Sequence, residues 1–229
     1  MASPPDPSLS RRERERRMRR RAMLDAARAV FAEKGYADAT LGEIAKRAEF
    51  GKGTLYNYFE GGKEELLFAV FDDTIEELED LIQTVFPDEH NGESLRGAFH
   101  TFVERHFEMI REQQDLFLIL VKEAHVMAFS DDGARVQFFR EQHKRLVDAL
   151  TPALEGAMEN GEIQSLPPAS VANLLLANIR GMGTHCTLEK RHAPGEEQQF
   201  LDDPTRAADF LTALLFDGLE KTGAAPASA

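Results

Sequence analysis

TLGEIAKRAEFGKGTLYNYFEGGKEELL, residues 40–67, is the stretch that decides the fold. Thr40 followed three residues later by Glu43 is a capping box, which opens a helix near residues 41–48. Helical spacing turns Ile44, Ala45 and Ala48 of that helix inward. Gly51 and Gly53 bracket a tight turn, and a third, short helix runs through Leu55 to Phe59. Leu55 and Phe59 are i, i+4 neighbours and face the core. Thr54 and Tyr58 share another face, with Lys52 and Asn57 nearby. A short helix that follows a tight turn, with small residues inside and polar residues outside, predicts a helix-turn-helix.

Working downstream, Gly61-Gly62 breaks the chain and Lys63-Glu64-Glu65 opens a long helix to about Val85. Leu66, Leu67, Val70, Phe71, Ile75, Leu78, Leu81 and Ile82 form its apolar stripe. Its other face, with Asp72, Asp73, Glu76, Glu77, Glu79 and Asp80, reads as solvated. Further helices are predicted near 94–111, 114–129, 132–159, 168–188 and 204–220. Asp131-Asp132-Gly133, Asn160-Gly161 and Pro167-Pro168 separate several of them, and 189–203 reads as a polar loop. No segment reads as a strand, so the fold class is all-α.

Upstream, Leu24, Ala27, Val30 and Phe31 fall on one helical face, and Gly35 is a stop after Lys34. Before that helix lies RRERERRMRRR, residues 11–21, with eight arginines and two glutamates. It reads as an arm that lies on phosphates or reaches a minor groove; a solvated tail or a frayed helical extension is the alternative. Residues 1–10 are rich in proline and serine and read as disordered. The chain carries a net charge of −13, but unevenly: residues 1–63 hold a net +5 and residues 64–229 a net −18. A basic end on an acidic body presents one face to a polyanion and repels it elsewhere.

No apolar run reaches the ~20 residues needed to cross a bilayer, and the charged N-terminus has no signal-like apolar core. A membrane partner is therefore not expected. The single cysteine, Cys186, allows no internal disulfide, which fits a cytoplasmic protein. There is no nucleophile elbow, no His-Glu-x-x-His and no paired cysteines, so neither an enzyme nor a metal or cofactor site is expected. His100 and Glu104, an i, i+4 pair, read as a solvated contact.

The 40–67 stretch resembles the DNA-binding signature of the TetR family of bacterial regulators. The resemblance rests on Thr40, Ile44-Ala45, Ala48, Phe50, Lys52-Gly53-Thr54-Leu55-Tyr56, Tyr58-Phe59 and Lys63-Glu64. Glu49 stands where the family usually turns with glycine. Gly51 stands where Ser or Thr would cap the recognition helix, and one extra residue lies between Phe59 and Lys63. The resemblance implies that Lys52, Thr54, Tyr56, Asn57 and Tyr58 face the major groove of a double-stranded DNA operator, where Gly53 lets backbone approach closely. The tyrosines would mostly meet phosphates, and Thr40 and Lys63, at helix N-termini, would hold phosphates.

The same resemblance implies a ligand pocket in the C-terminal helices and a homodimer through the last two. VANLLLANIRGMG at 171–183 and AADFLTALLFDGL at 207–219 are apolar nearly all round, as helices covered on both faces must be. Leu175, Leu211 and Leu215 are the expected interface residues. Phe102, His106, Phe117, Val121, Phe138, His143, Asn178 and Met182 are the candidate lining for a small hydrophobic effector. Such residues also describe an ordinary core, where His106 and Asn178 would be hydrogen-bonded. The expected organisation is a basic, disordered arm (1–21), a three-helix DNA-binding domain (22–62), a ligand-binding and dimerisation domain (63–222) and a disordered tail (223–229).

Overall fold

A computed structural model describes residues 10–87, 94–192 and 198–218, and these form helices with no strand among them. The chain divides into two compact units between Thr74 and Ile75. The expected arm residues 1–9 and the expected tail 223–229 lie outside the described residues.

The first unit holds α1 (Arg11–Asp38), α2 (Leu41–Arg47), α3 (Lys52–Tyr56) and the first half of α4 (Gly62–Val85). Its core is the predicted one: Leu24, Ala27, Val30 and Phe31 from α1, Ile44 and Ala45 from α2, and Leu55 and Phe59 around α3 are all buried. The basic stretch corrects the expectation of a disordered arm, because α1 begins at Arg11. Ser10 accepts from the Glu13 amide, and the Glu13 carboxylate accepts from the Ser10 amide at 2.8 Å, a second capping box that fixes the helix start. Gly35, at φ 78°, interrupts α1 where the stop was expected.

The domain boundary also moves, from the Gly61-Gly62 break to the middle of α4. Asp73 on α4 accepts from Arg21 at 2.8 and 3.0 Å and from Arg28 at 2.7 Å, so this half of the helix is tied to α1. Part of the face read as solvated is therefore an ion-pair surface.

The turn between α2 and α3 closes as a Schellman motif. Phe50 N–H donates to the Ala45 carbonyl at 2.9 Å and Glu49 N–H to the Lys46 carbonyl at 3.2 Å. This places Glu49 at φ 61°, the left-handed region that favours glycine. Glu49 is exposed and gains no compensating packing. Glu49→Gly is therefore expected to raise the stability of the first unit by about 1 kcal/mol, read from the urea midpoint. An unchanged or lowered midpoint would show that the turn carries no strain.

The second unit holds the rest of α4 with α5 (Leu95–Glu112), α6 (Gln114–Ala128), α7 (Gly133–Glu159), α8 (Pro168–His192), α9 (Gln198–Asp202) and α10 (Pro204–Phe216). The short α9 lies in the segment read as a polar loop. Leu201, fully buried, anchors it. The core gathers Phe99, Phe102, Val103, Phe107 and Ile110 of α5 with Leu146, Leu150 and Leu154 of α7, Ile179 of α8 and Leu211 of α10. Three polar ties join α5 to α10: Arg96 to Asp217 at 2.8 Å, His100 to Asp209 at 3.0 Å, and Thr205 to Glu104 at 2.6 Å. His100 and Glu104 thus serve helix packing rather than one another. Gly183 lets α8 approach α5, since a Cβ there would stand 2.6 Å from Ile110 Cδ1.

Candidate functional site

The first unit turns one chemically mixed face outward around α3. Leu55 and Phe59 anchor that segment from inside. Lys52, Gly53, Tyr56 and Asn57 are exposed, and Thr54 and Tyr58 are half-buried. Gly51 caps α3 with no side-chain hydrogen bond, as its identity requires. The ammonium of Lys52 lies 6.0 Å from the Tyr56 ring centroid. An amine, a hydroxyl and an amide on so short a segment can donate to and accept from base edges.

The helical start of α1 runs beside this segment. The Arg16 guanidinium sits over the Tyr58 ring at 5.7 Å and the Arg20 guanidinium over the Phe59 ring at 5.4 Å. Residues 11–21 are all exposed, so their arginines form a cationic surface next to α3 on a helix rather than on a loose tail. Charge count alone could show that the stretch is basic. It could not show this placement, because a ring 39 to 42 residues away leaves no periodic trace in the sequence.

Thr40 caps α2 as expected. Its hydroxyl is 2.8 Å from the Glu43 carboxylate, and Glu43 N–H donates back to that hydroxyl at 3.3 Å. Lys34 and then Thr40 hold the Glu43 carboxyl below its ordinary value. Lys63 departs from expectation. Its ammonium donates to the carbonyls of Tyr36 at 2.8 Å, Ala37 at 2.9 Å and Ala39 at 3.0 Å, and lies 4.7 Å from the Tyr36 ring centroid. All three N–H donors are engaged in closing the end of α1, so Lys63 is a structural clasp and not a phosphate ligand.

In the second unit, Phe102, Phe117 and Met182 do come together in or against one apolar cluster. Phe102 is fully buried and packs edge-on against Phe86 at 5.8 Å. Val121 and Phe138 are half-buried outside that cluster, Phe138 packing on Phe139 at 5.3 Å. Two of the three polar candidates already have partners. His143 Nε2 is 2.6 Å from Asn173 Oδ1, and Asn178 donates back to the Leu174 carbonyl on its own helix at 2.7 Å. His106 is different. Both ring nitrogens are buried and neither has a hydrogen-bond partner. Burial lowers its pKa to about 4, so the imidazole is neutral at physiological pH.

The expected interface residues need correction. Leu175 and Leu211 are buried within their own subunit, and Leu215 is half-buried against the same core. The large apolar residues that α8 and α10 expose are Leu174 (60%), Leu188 (42%) and Phe210 (46%). A helix apolar all round hides which of its faces the subunit's own core covers. Among the described residues there is no cluster of metal-ligating side chains, and no helix is long and apolar enough to cross a membrane.

Residues 23–70 match the family described as bacterial regulatory proteins, tetR family. The chain is 27% identical over 180 residues to the uncharacterized HTH-type transcriptional regulator YhgD of Bacillus subtilis (strain 168), covering 79% of this chain and 89% of that protein. It is also 27% identical over 142 residues to the fatty acid metabolism regulator protein of the same organism, covering 62% of this chain and 69% of that one. Among solved structures, the Bacillus subtilis transcriptional regulator FadR in complex with stearoyl-CoA has the same fold. Its TM-score is 0.72 at 20% identity, with 88% of this chain and all of that chain covered.

Proposed function

We propose that this chain, whose residues 23–70 match the tetR family of bacterial regulatory proteins, is a cytoplasmic, homodimeric repressor released from its DNA operator by a fatty-acyl effector. The observation that carries the DNA reading is the cationic start of α1 set beside the exposed polar side chains of α3. Lys52, Thr54 and Asn57 read base edges, Tyr56 and Tyr58 meet phosphates, and Gly53 lets the backbone come close. Thr40, already spent on its capping box, keeps a helix N-terminus turned to phosphate.

A dimer places two such faces about one DNA turn, ~34 Å, apart on a near-palindromic operator. Leu174, Leu188 and Phe210, exposed on α8 and α10, are the residues through which subunits pair. The acidic second unit keeps the rest of the molecule off the polyanion. A fatty-acyl effector is supported by the relative named for fatty acid metabolism and by the stearoyl-CoA bound to the Bacillus subtilis protein of like fold. Effector and operator oppose one another by linkage: a ligand that favours the low-affinity state weakens DNA binding, and DNA weakens the ligand by the same factor.

Replacing Arg11, Arg12 and Arg14 with Gln tests the DNA reading. Affinity for any duplex should fall, and the slope of log affinity against log salt should flatten by about 0.9 for each phosphate no longer neutralised. Fluorescence anisotropy at several salt concentrations measures it. An unchanged slope would leave the start of α1 as a solvated helix with no part in binding.

A further inference from the structure

His106 lies on the inward face of α5, in line with Phe99, Phe102, Val103 and Ile110, all of them buried. Its ring packs against Phe102 at 5.9 Å between centroids. Both nitrogens are shut away from solvent without a hydrogen-bond partner. Native interiors rarely leave a buried polar group unpaired, and one that is left so calls for an explanation. The unit's other interior polar groups narrow what a partner could be. Glu123 is a buried carboxylate, while among the described residues of this unit no lysine or arginine is buried. An anion brought to the neutral imidazole would lose hydration without a fully buried cation to replace it.

We propose that His106 is the hydrogen-bonding anchor for an uncharged carbonyl, that of an acyl ester or thioester, with the imidazole N–H donating to the carbonyl oxygen and the hydrocarbon chain lying among the surrounding aromatic side chains. This rests on the fatty-acyl reading above and adds to it a choice between ligand classes. The neutral imidazole accepts an ester or thioester and discriminates against the free carboxylate of the same chain. It also identifies the polar contact that fixes the position of an otherwise featureless chain.

Titration calorimetry of the full chain with methyl laurate, laurate and lauroyl-CoA tests it. The ester and the thioester should bind the unaltered protein, and laurate should bind at least about tenfold more weakly than its methyl ester. His106→Leu should weaken methyl laurate by about tenfold or more while leaving the melting temperature of the ligand-free protein equal or raised, because it removes two unpaired nitrogens. His106→Gln, whose amide can donate in place of the ring, should restore most of the affinity. If His106→Leu binds the ester as well as the unaltered protein does, or if both variants lose stability and affinity together, the anchor is refuted while the acyl reading stands. If none of the three compounds binds the unaltered protein, the acyl reading fails and the anchor falls with it.

Discussion

Leu211→Glu is expected to unfold the second unit, while Phe210→Glu, one residue earlier, leaves it helical and separates the dimer. Leu211 is 3% exposed and belongs to the core built on α5. Its replacement loses the burial of a leucine, about 2–5 kcal/mol for the cavity alone. It then places a carboxylate where nothing pairs with it, a further cost of several kcal/mol. The total approaches the ~5–15 kcal/mol that hold a domain together. Phe210, at 46% exposure, packs on Phe200 at 5.2 Å and otherwise faces outward. A glutamate there reaches water in the single subunit but would be buried and unpaired against a partner. Leu174→Glu should behave like Phe210→Glu. Circular dichroism reads the helicity and light scattering the mass. A folded Leu211→Glu dimer would contradict the packing, and an intact dimer in both exposed variants would move the interface away from α8 and α10.

Asp73→Ala should cost the first unit about 3–5 kcal/mol, the range for breaking a buried ion pair from one side. Arg28 is 8% exposed. The side chain of Asp73 is 14% exposed and stands between two guanidinium groups. Without the carboxylate, the Arg28 guanidinium keeps its desolvation cost and loses its principal counter-charge. The variant should unfold at lower urea concentration. In an Arg28→Met background the same change should cost much less, because the buried cation is gone. Equal costs in both backgrounds would mean that Asp73 acts through something other than Arg28.

These two expectations mark where the sequence is legible and where it is not. The first unit is readable almost residue by residue: Ile44, Ala45, Leu55 and Phe59 are buried as their spacing demands, and Thr40 caps α2 with Glu43. Local periodicity and capping chemistry lie within a few residues, so a single chain displays them. Most failures are long-range, while two are local: the Ser10–Glu13 capping box that starts α1, and the short α9 within a segment read as a loop. Asp73 and Glu79 read as part of a solvated face, yet Asp73 meets Arg28, and Glu79 accepts from Arg145 at 2.9 Å across 66 residues. Lys63 reads as a phosphate ligand, but carbonyls 24 to 27 residues earlier take its protons. Leu175 and Leu211 read as outward-facing because an all-apolar helix gives no sign of which face a neighbour covers. His106 is expected to be hydrogen-bonded like any core histidine, and only the packed structure leaves its nitrogens without partners.

If this chain is an acyl-responsive DNA-binding dimer, selection of bound duplexes from a random pool, with and without lauroyl-CoA, will register both properties. A near-palindrome whose half-sites lie about one helical turn apart should be enriched by the unaltered protein and lost when lauroyl-CoA is present. Enrichment of no sequence, or of a site whose recovery the acyl thioester does not change, would contradict it.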